Sequence, residues 1–151
     1  MLTMFIRAIC CLIFFFVASC FGADIGAQFF EGGFSKRVER LEKYPLDQQY
    51  KIFLYGNQVV HPPLTDLAIP LAKRGKPALD YILSELDHSK NDLDFRDSLV
   101  VFQTMQWGGH YNICGDTVAI NKIRDNEKKI SNTAWKDVYS QMLKALCRGV
   151  P

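Results

Sequence analysis

The segment QWGGHYNICGD, residues 106–116, holds most of the side chains in this chain that could do chemistry. Cys114 lies just before a predicted helix that Asp116 or Thr117 would cap, and a helix N-terminus lowers the pKa of a thiol. His110, four residues earlier, could accept the proton of that thiol. The pattern is compatible with a small envelope hydrolase or thiol redox enzyme that uses Cys114 and His110, with Asp116 beside them.

The cysteine content favours a structural role for Cys114. The chain has five cysteines, two of them in an N-terminal apolar run and a third, Cys20, just after it. Cys114 and Cys147 remain, and an even pair in an oxidising compartment is typical of a disulfide. We therefore predict a Cys114–Cys147 disulfide, which stabilises a fold by roughly 3 to 4 kcal/mol if unstrained. No third residue that would orient His110 is identifiable. We therefore favour the disulfide and keep the enzyme as the alternative interpretation.

Metal and cofactor sites are not predicted. His110 and Cys114 would supply only two ligands, and the other histidines are distant in sequence. The acidic segment DHSKNDLDFRD covers residues 87–97. Counted from Asp87, the sixth and twelfth positions, where a calcium-binding loop needs glycine and glutamate, are Asp92 and Ser98. The carboxylates of this segment are therefore expected to lie in an interhelical loop, with Asp92 or Asp94 capping the next helix.

Aromatic and histidine side chains near the glycines of the 106–116 segment indicate a binding surface. Trp107 and Tyr111 flank His110, and aromatic residues are common at the centres of protein interfaces. Together with His61, they are predicted to line one end of a groove that binds a protein partner. The formal charge of +2 falls to +1 without Arg7 and does not indicate a nucleic-acid partner.

The N-terminus has the features of an export signal. Arg7 precedes the apolar run AICCLIFFFVA, residues 8–18, which is short for a membrane span. The sequence VASC, residues 17–20, resembles the lipobox of bacterial lipoproteins, in which small residues precede an acylated cysteine. The resemblance implies a signal peptide over residues 1–19 and a lipid on Cys20.

This resemblance implies an exported protein held at the cell envelope, facing the periplasm or the cell exterior. Acyl chains on Cys20 would anchor it to the membrane. Two alternatives remain, namely simple secretion after a cut behind Ala23 and retention of the apolar run as an anchor.

Residues 20–34 are predicted to form a flexible tether between the membrane and the folded domain. They include four glycines and show no sustained periodicity. Phe29, Phe30 and Phe34 are expected to pack on the first helix, with docking of a partner as the alternative.

Residues 61–86 are the segment around which the rest of the chain is organised. Leucines recur at helical spacing on both sides of a predicted Arg-Gly-Lys-Pro turn centred on Gly75. Pro77 is expected to open the second helix. Pro70, inside the first helix, predicts a bend or a break there.

The run AKRGKPALDYILSEL, residues 72–86, resembles one unit of the HEAT-type repeats, which are pairs of antiparallel helices. The resemblance implies a short right-handed stack of helical hairpins with a groove that holds another protein. No second clear copy follows, although residues 93–107 are predicted to form the most buried helix and two further helices follow it.

We therefore predict an all-α domain over residues 35–148, with about six helices in antiparallel hairpins that form a short HEAT-like stack. The chain has no paired carboxylates, no catalytic triad and no complete set of metal ligands that we can identify from sequence. We expect a non-catalytic cell-envelope lipoprotein that binds a protein partner, as an assembly factor, an inhibitor or an immunity-type protein.

Overall fold

The computed structural model describes residues 24–148. The predicted signal peptide, its cleavage site and Cys20 lie outside these residues. Within them all regular structure is helical, which confirms the predicted all-α class. The eight α-helices, rather than about six, are α1 (Ile25–Glu31), α2 (Arg37–Leu41), α3 (Leu46–Gln58), α4 (Ala68–Lys73), α5 (Lys76–His88), α6 (Asp92–Trp107), α7 (Thr117–Asn126) and α8 (Thr133–Leu146).

Helix α1 lies inside the predicted tether, so the prediction of a flexible segment is wrong for Ile25–Glu31. Its N-terminus is capped by Asp24, whose Oδ1 accepts a hydrogen bond of 2.9 Å from the Gly26 backbone. Gly26 is buried against Tyr55 of α3, and a Cβ at this position would overlap the tyrosine side chain. The glycine therefore allows α1 to approach α3 closely.

The C-terminal end of α1 is closed by Arg40 from α2. Its guanidinium donates to the carbonyl oxygens of Phe29, Gly32 and Gly33. It also lies over the Phe29 ring, 4.4 Å from the centroid, and Phe29 is buried as expected. One cation thus satisfies carbonyl groups that a short helix leaves without partners.

The turn between α4 and α5 is centred on Gly75, as predicted. Gly75 has φ +61°, and a Cβ there would lie 3.1 Å from the carbonyl oxygen of His110, so any larger residue would be strained. Pro77 lies in the first turn of α5. Before α4, the chain forms a 3₁₀ turn over Thr65–Leu67, so Pro70 falls in the first turn of α4, where its missing N–H costs little.

Helix α6 is the centre of the core. Eight of its residues are buried, including Phe95, Leu99, Phe102 and Met105, more than in any other described helix. This confirms the prediction that it is the most buried helix. Its cap is Asn91, whose side chain accepts from the Leu93 backbone, rather than one of the predicted aspartates.

Helices α6 and α8 run side by side in the same direction. At their beginnings, the Arg96 guanidinium lies over the Trp135 ring at 4.8 Å. At their ends, the Trp107 indole N–H donates to the carbonyl oxygen of Leu146 at 3.2 Å. The bond supplies a donor to the C-terminal turn of α8, where carbonyl groups lack helical partners.

A buried carboxylate lies near the start of α6. Asp97 is 2% exposed and forms an ion pair with Arg96 at 2.6 Å, while its other oxygen accepts from the Gln58 amide at 3.1 Å. Burial disfavours its charged form and raises the pKa of Asp97 above the ordinary value, although Arg96 opposes the shift.

The hydrogen bond between Tyr50 of α3 and Ser98 of α6 tests the coupling of these helices. Both hydroxyl groups are buried, and their oxygens are 2.8 Å apart. We predict that Tyr50→Phe and Ser98→Ala each lower the free energy of unfolding by about 1–2 kcal/mol, because each leaves a buried hydroxyl unpaired. Urea denaturation should show that the double variant loses less than the sum of the two. Strict additivity would show that the bond does not couple the helices.

Candidate functional site

The predicted disulfide joins the loop after α6 to the end of α8. The sulfur atoms of Cys114 and Cys147 are bonded at 1.96 Å, and their Cα atoms are 5.9 Å apart. In this state the Cys114 sulfur carries no thiolate, so it cannot act as a nucleophile in the way the alternative interpretation requires.

A buried glutamine fixes the same loop from the other side. Gln106 is 6% exposed, and its Oε1 accepts a 2.9 Å hydrogen bond from the Cys114 backbone N–H. Asn112 accepts from the Gly115 backbone at 3.0 Å, and the Ile113 side chain is fully buried. The loop is therefore held by a covalent bond, by side-chain hydrogen bonds and by an apolar anchor.

Tyr111 and Asp116 form a second polar unit at the N-terminus of α7. The Tyr111 hydroxyl donates to Asp116 Oδ2 at 2.9 Å, while Asp116 Oδ1 accepts from the Ala119 backbone at 3.0 Å. Asp116 is thus the predicted cap of α7. The Ala119 N–H, and next to it the Tyr111 hydroxyl, hold the pKa of Asp116 below its usual value of 3.8.

Trp107 combines a structural contact with an exposed ring. Its side chain is 54% exposed although the indole N–H is bonded to α8. His110 is exposed as well, and its backbone N–H donates to the Met105 carbonyl oxygen at 3.0 Å. Three of the four predicted binding residues are therefore close together in the chain: Trp107 ends α6, and His110 and Tyr111 lie in the loop that follows.

His61 lies at the other end of α6. Gln58, three residues before it, donates to Asp94 Oδ1 at 2.9 Å near the beginning of α6. Trp107 is about 20 Å further along that helix, by its rise per residue, whereas three residues of chain span about 10 Å at most. The structure does not bring His61 together with the other three residues.

A cleft of about 420 Å³ opens beside this loop, between α5 and α7. Lys76 and Asp80 form an ion pair at 2.6 Å on one wall, and Asp116 lies on the other. The 70% exposed Val118 adds an apolar edge. We call the surface formed by Trp107, His110, Tyr111 and this cleft the loop surface; the residues lining the cleft are Lys76, Asp80, Leu83, Asp116, Val118, Ala119 and Lys122.

The glycines and aromatic residues identify this loop in the sequence, but nothing in the sequence indicates that Gln106 and Lys76 belong to the site. Gln106 looks like an ordinary polar residue within a helix, and only its burial gives it a role. Within residues 24–148, no three histidine, cysteine or acidic side chains are grouped closely enough to hold a metal ion. None of the helices in this part of the chain is long and apolar enough to cross a membrane.

The disulfide should contribute a large part of the stability of the fold. It closes a loop of 33 residues, so we predict that Cys114→Ala/Cys147→Ala lowers the free energy of unfolding by about 3–4 kcal/mol. Dithiothreitol should destabilise the parent protein by a similar amount in urea denaturation and leave the double variant unchanged. If the reductant affects both equally, the effect does not come from this bond.

The Tyr111 hydroxyl should influence the titration of Asp116. We predict that Tyr111→Phe raises the pKa of Asp116 toward its ordinary value, measured by carbon NMR of the carboxyl group. Because the folded-state pKa is depressed, the stability from this contact is present above the unfolded-state pKa and is lost as pH falls through the folded-state pKa. Asp92, whose pKa is lowered by the backbone N–H groups of Ser131 and Asn132, is the control and should not change. An unchanged Asp116 pKa would contradict the assignment.

Comparison of the chain with protein-family models, with curated protein sequences and with solved structures finds no match.

Proposed function

We propose that this protein is a non-catalytic cell-envelope lipoprotein that binds a protein partner through the loop surface. An assembly factor, an inhibitor and an immunity-type protein would each use such a surface. The membrane contact would come from the lipid on Cys20, and the folded domain would face the periplasm or the cell exterior.

The observation that carries the proposal is an exposed aromatic residue at the end of α6, next to a loop that is held in place. Trp107 is 54% exposed, and its indole N–H is already bonded to Leu146. The disulfide and Gln106 fix the loop that follows. Binding to a rigid surface requires little ordering of side chains or loops, and tryptophan is enriched among residues that dominate binding energy.

The mixed charges of the cleft favour a protein partner over a nucleic acid. Lys76 and Lys122 line the same cleft as Asp80 and Asp116. A nucleic-acid surface needs a concentrated positive patch, whereas alternating charges give a protein interface its register and specificity. Val118, which is 70% exposed, adds an apolar edge to this cleft.

A HEAT-like stack of hairpins, which forms part of the proposal, requires alternate helices to run in the same direction. α6 and α8 run in the same direction, and the helix between them, α7, returns the chain. α5 and α7 also run in the same direction. Near their beginnings, Lys76 and Asp116 line the same cleft. Near their ends, Lys129, which follows α7, forms an ion pair with Asp87 of α5 at 2.8 Å. Two layers of like-directed helices are what successive stacked pairs would produce.

The leader and the disulfide together support export to the envelope. Residues 1–19 have the features of a signal peptide, and Cys20 is the residue predicted to be acylated. A disulfide between the two late cysteines is stable in an oxidising compartment and rare in the cytosol.

A double substitution at the loop surface tests the binding function. We predict that Trp107→Ala/His110→Ala reduces chemical crosslinking to the partner in intact cells at least tenfold, the effect of losing about 1.4 kcal/mol or more of binding energy. The crosslinked protein would be identified by mass spectrometry from the parent strain.

His61→Ala is the matched control, since it removes an exposed histidine at the far end of α6 and should leave crosslinking unchanged. Thermal unfolding of each variant would separate a binding defect from loss of the Trp107–Leu146 hydrogen bond. Unchanged crosslinking by the stable double variant would reject the loop surface as the binding site.

A further inference from the structure

We propose that a second surface, formed by Phe30, Phe34, Tyr55 and Val59, contacts the lipid bilayer to which the protein is tethered. We call it the aromatic patch. The inference rests on the proposed lipid attachment at Cys20 and adds to it a defined orientation of the domain on the membrane.

The aromatic patch is a continuous apolar surface. The Phe30 ring lies 5.6 Å from the Phe34 ring and 5.8 Å from the Tyr55 ring, centroid to centroid. Val59 follows Tyr55 by one helical turn and donates its backbone N–H to the Tyr55 carbonyl oxygen at 2.9 Å. Phe34 is 50% exposed and Val59 is 55% exposed, which is unusual for large apolar side chains in the described residues.

The patch lies where the chain enters the folded domain. Asp24 caps α1 through Gly26, and Gly26 packs directly against Tyr55. Only three residues separate Cys20 from Asp24, and four steps along the chain span about 14 Å at most. A lipid on Cys20 would therefore keep the aromatic patch close to the membrane surface, whatever path those residues take.

The charges beside the patch indicate an apolar contact rather than an electrostatic one. Arg37 is paired with Asp66 at 2.8 Å, and the Arg40 guanidinium is bonded to backbone carbonyl oxygens of the chain around the end of α1. Both arginines are thus already engaged, which leaves exposed Lys36 as the one cation beside Phe34 without an ion pair within residues 24–148. Apolar side chains enter the boundary between headgroups and acyl chains without needing anionic lipid, so the contact should form on neutral bilayers and depend little on salt.

The predicted orientation leaves the loop surface available to a partner. The aromatic patch is built from α1 with the loop after it and from the C-terminal end of α3. This end of α3 lies by the beginning of α6 through the Gln58–Asp94 bond. Trp107 closes the other end of α6. One end of the domain would face the lipid, and the other would face the aqueous compartment.

Tryptophan substitutions test this orientation in the acylated full-length protein. Phe34→Trp and Val59→Trp would each be reconstituted in phosphatidylcholine vesicles, with and without brominated phosphatidylcholine. We expect a blue shift of the added emission and its quenching by the brominated lipid, after subtraction of the parent signal. Val118→Trp is the matched control, because Val118 is also an exposed valine but belongs to the loop surface, and it should show neither effect.

Equal quenching at positions 34, 59 and 118, or no quenching at 34 and 59, would overturn the proposed contact. Vesicle flotation of the parent and of Cys20→Ala separates this result from failure of the tether. If the parent carries no acyl mass and does not float, the lipoprotein proposal fails and the orientation fails with it. If the parent floats, Cys20→Ala does not, and positions 34 and 59 remain unquenched, only the aromatic patch is rejected.

Discussion

Burial of α6 is the constraint on which the rest of this structure depends. A helix enclosed on several sides must have a partner for every polar group it carries inward, because an unpaired buried group costs as much as a hydrogen bond is worth. Three buried residues of α6 meet this requirement. Ser98 bonds Tyr50, and Asp97 bonds Gln58 and Arg96. Gln106 bonds the Cys114 backbone. The bonds from Tyr50 and Gln58 hold α3 against the central helix, and the bond from Gln106 holds the loop that follows it.

The same constraint explains why the loop after α6 is ordered. A glycine-containing loop would ordinarily sample many conformations. Here it begins at a buried glutamine that binds its backbone, and it ends at a disulfide and a helix cap. The order of the loop that carries His110 and Tyr111 therefore comes from its contacts with the core.

Sequence reasoning was successful where the signal is local. The leucine spacing around Gly75, the turn itself and the cap at Asp116 all depend on neighbours within a few residues. The disulfide followed from counting cysteines in a chain that is predicted to be exported. Where a distant partner decides the outcome, reasoning from sequence failed. Helix α1 packs against α3 because Gly26 leaves room for Tyr55, and Arg40 closes its end. Neither contact is visible in a glycine-rich stretch.

The position of His61 shows the same limit for the candidate site. The predicted groove combines His61 with Trp107, but α3 places His61 near the beginning of α6. Gln106 is the opposite case, an unremarkable residue that becomes decisive once it is buried. Residue type identified the loop, and only the three-dimensional path of the chain identified which residues share it.

The carboxylates give the domain a divided response to acid. Asp116 and Asp92, with lowered pKa values, stabilise the folded state at neutral pH and lose that effect as protons bind. Asp97 has a raised pKa, so its burial penalty is present above that value and is relieved as pH falls through it. Acidification would therefore first weaken the cap that Asp116 gives to α7 and the contact of Asp92 with the chain before α8. The environment of the buried Asp97 would not lose stability in this way.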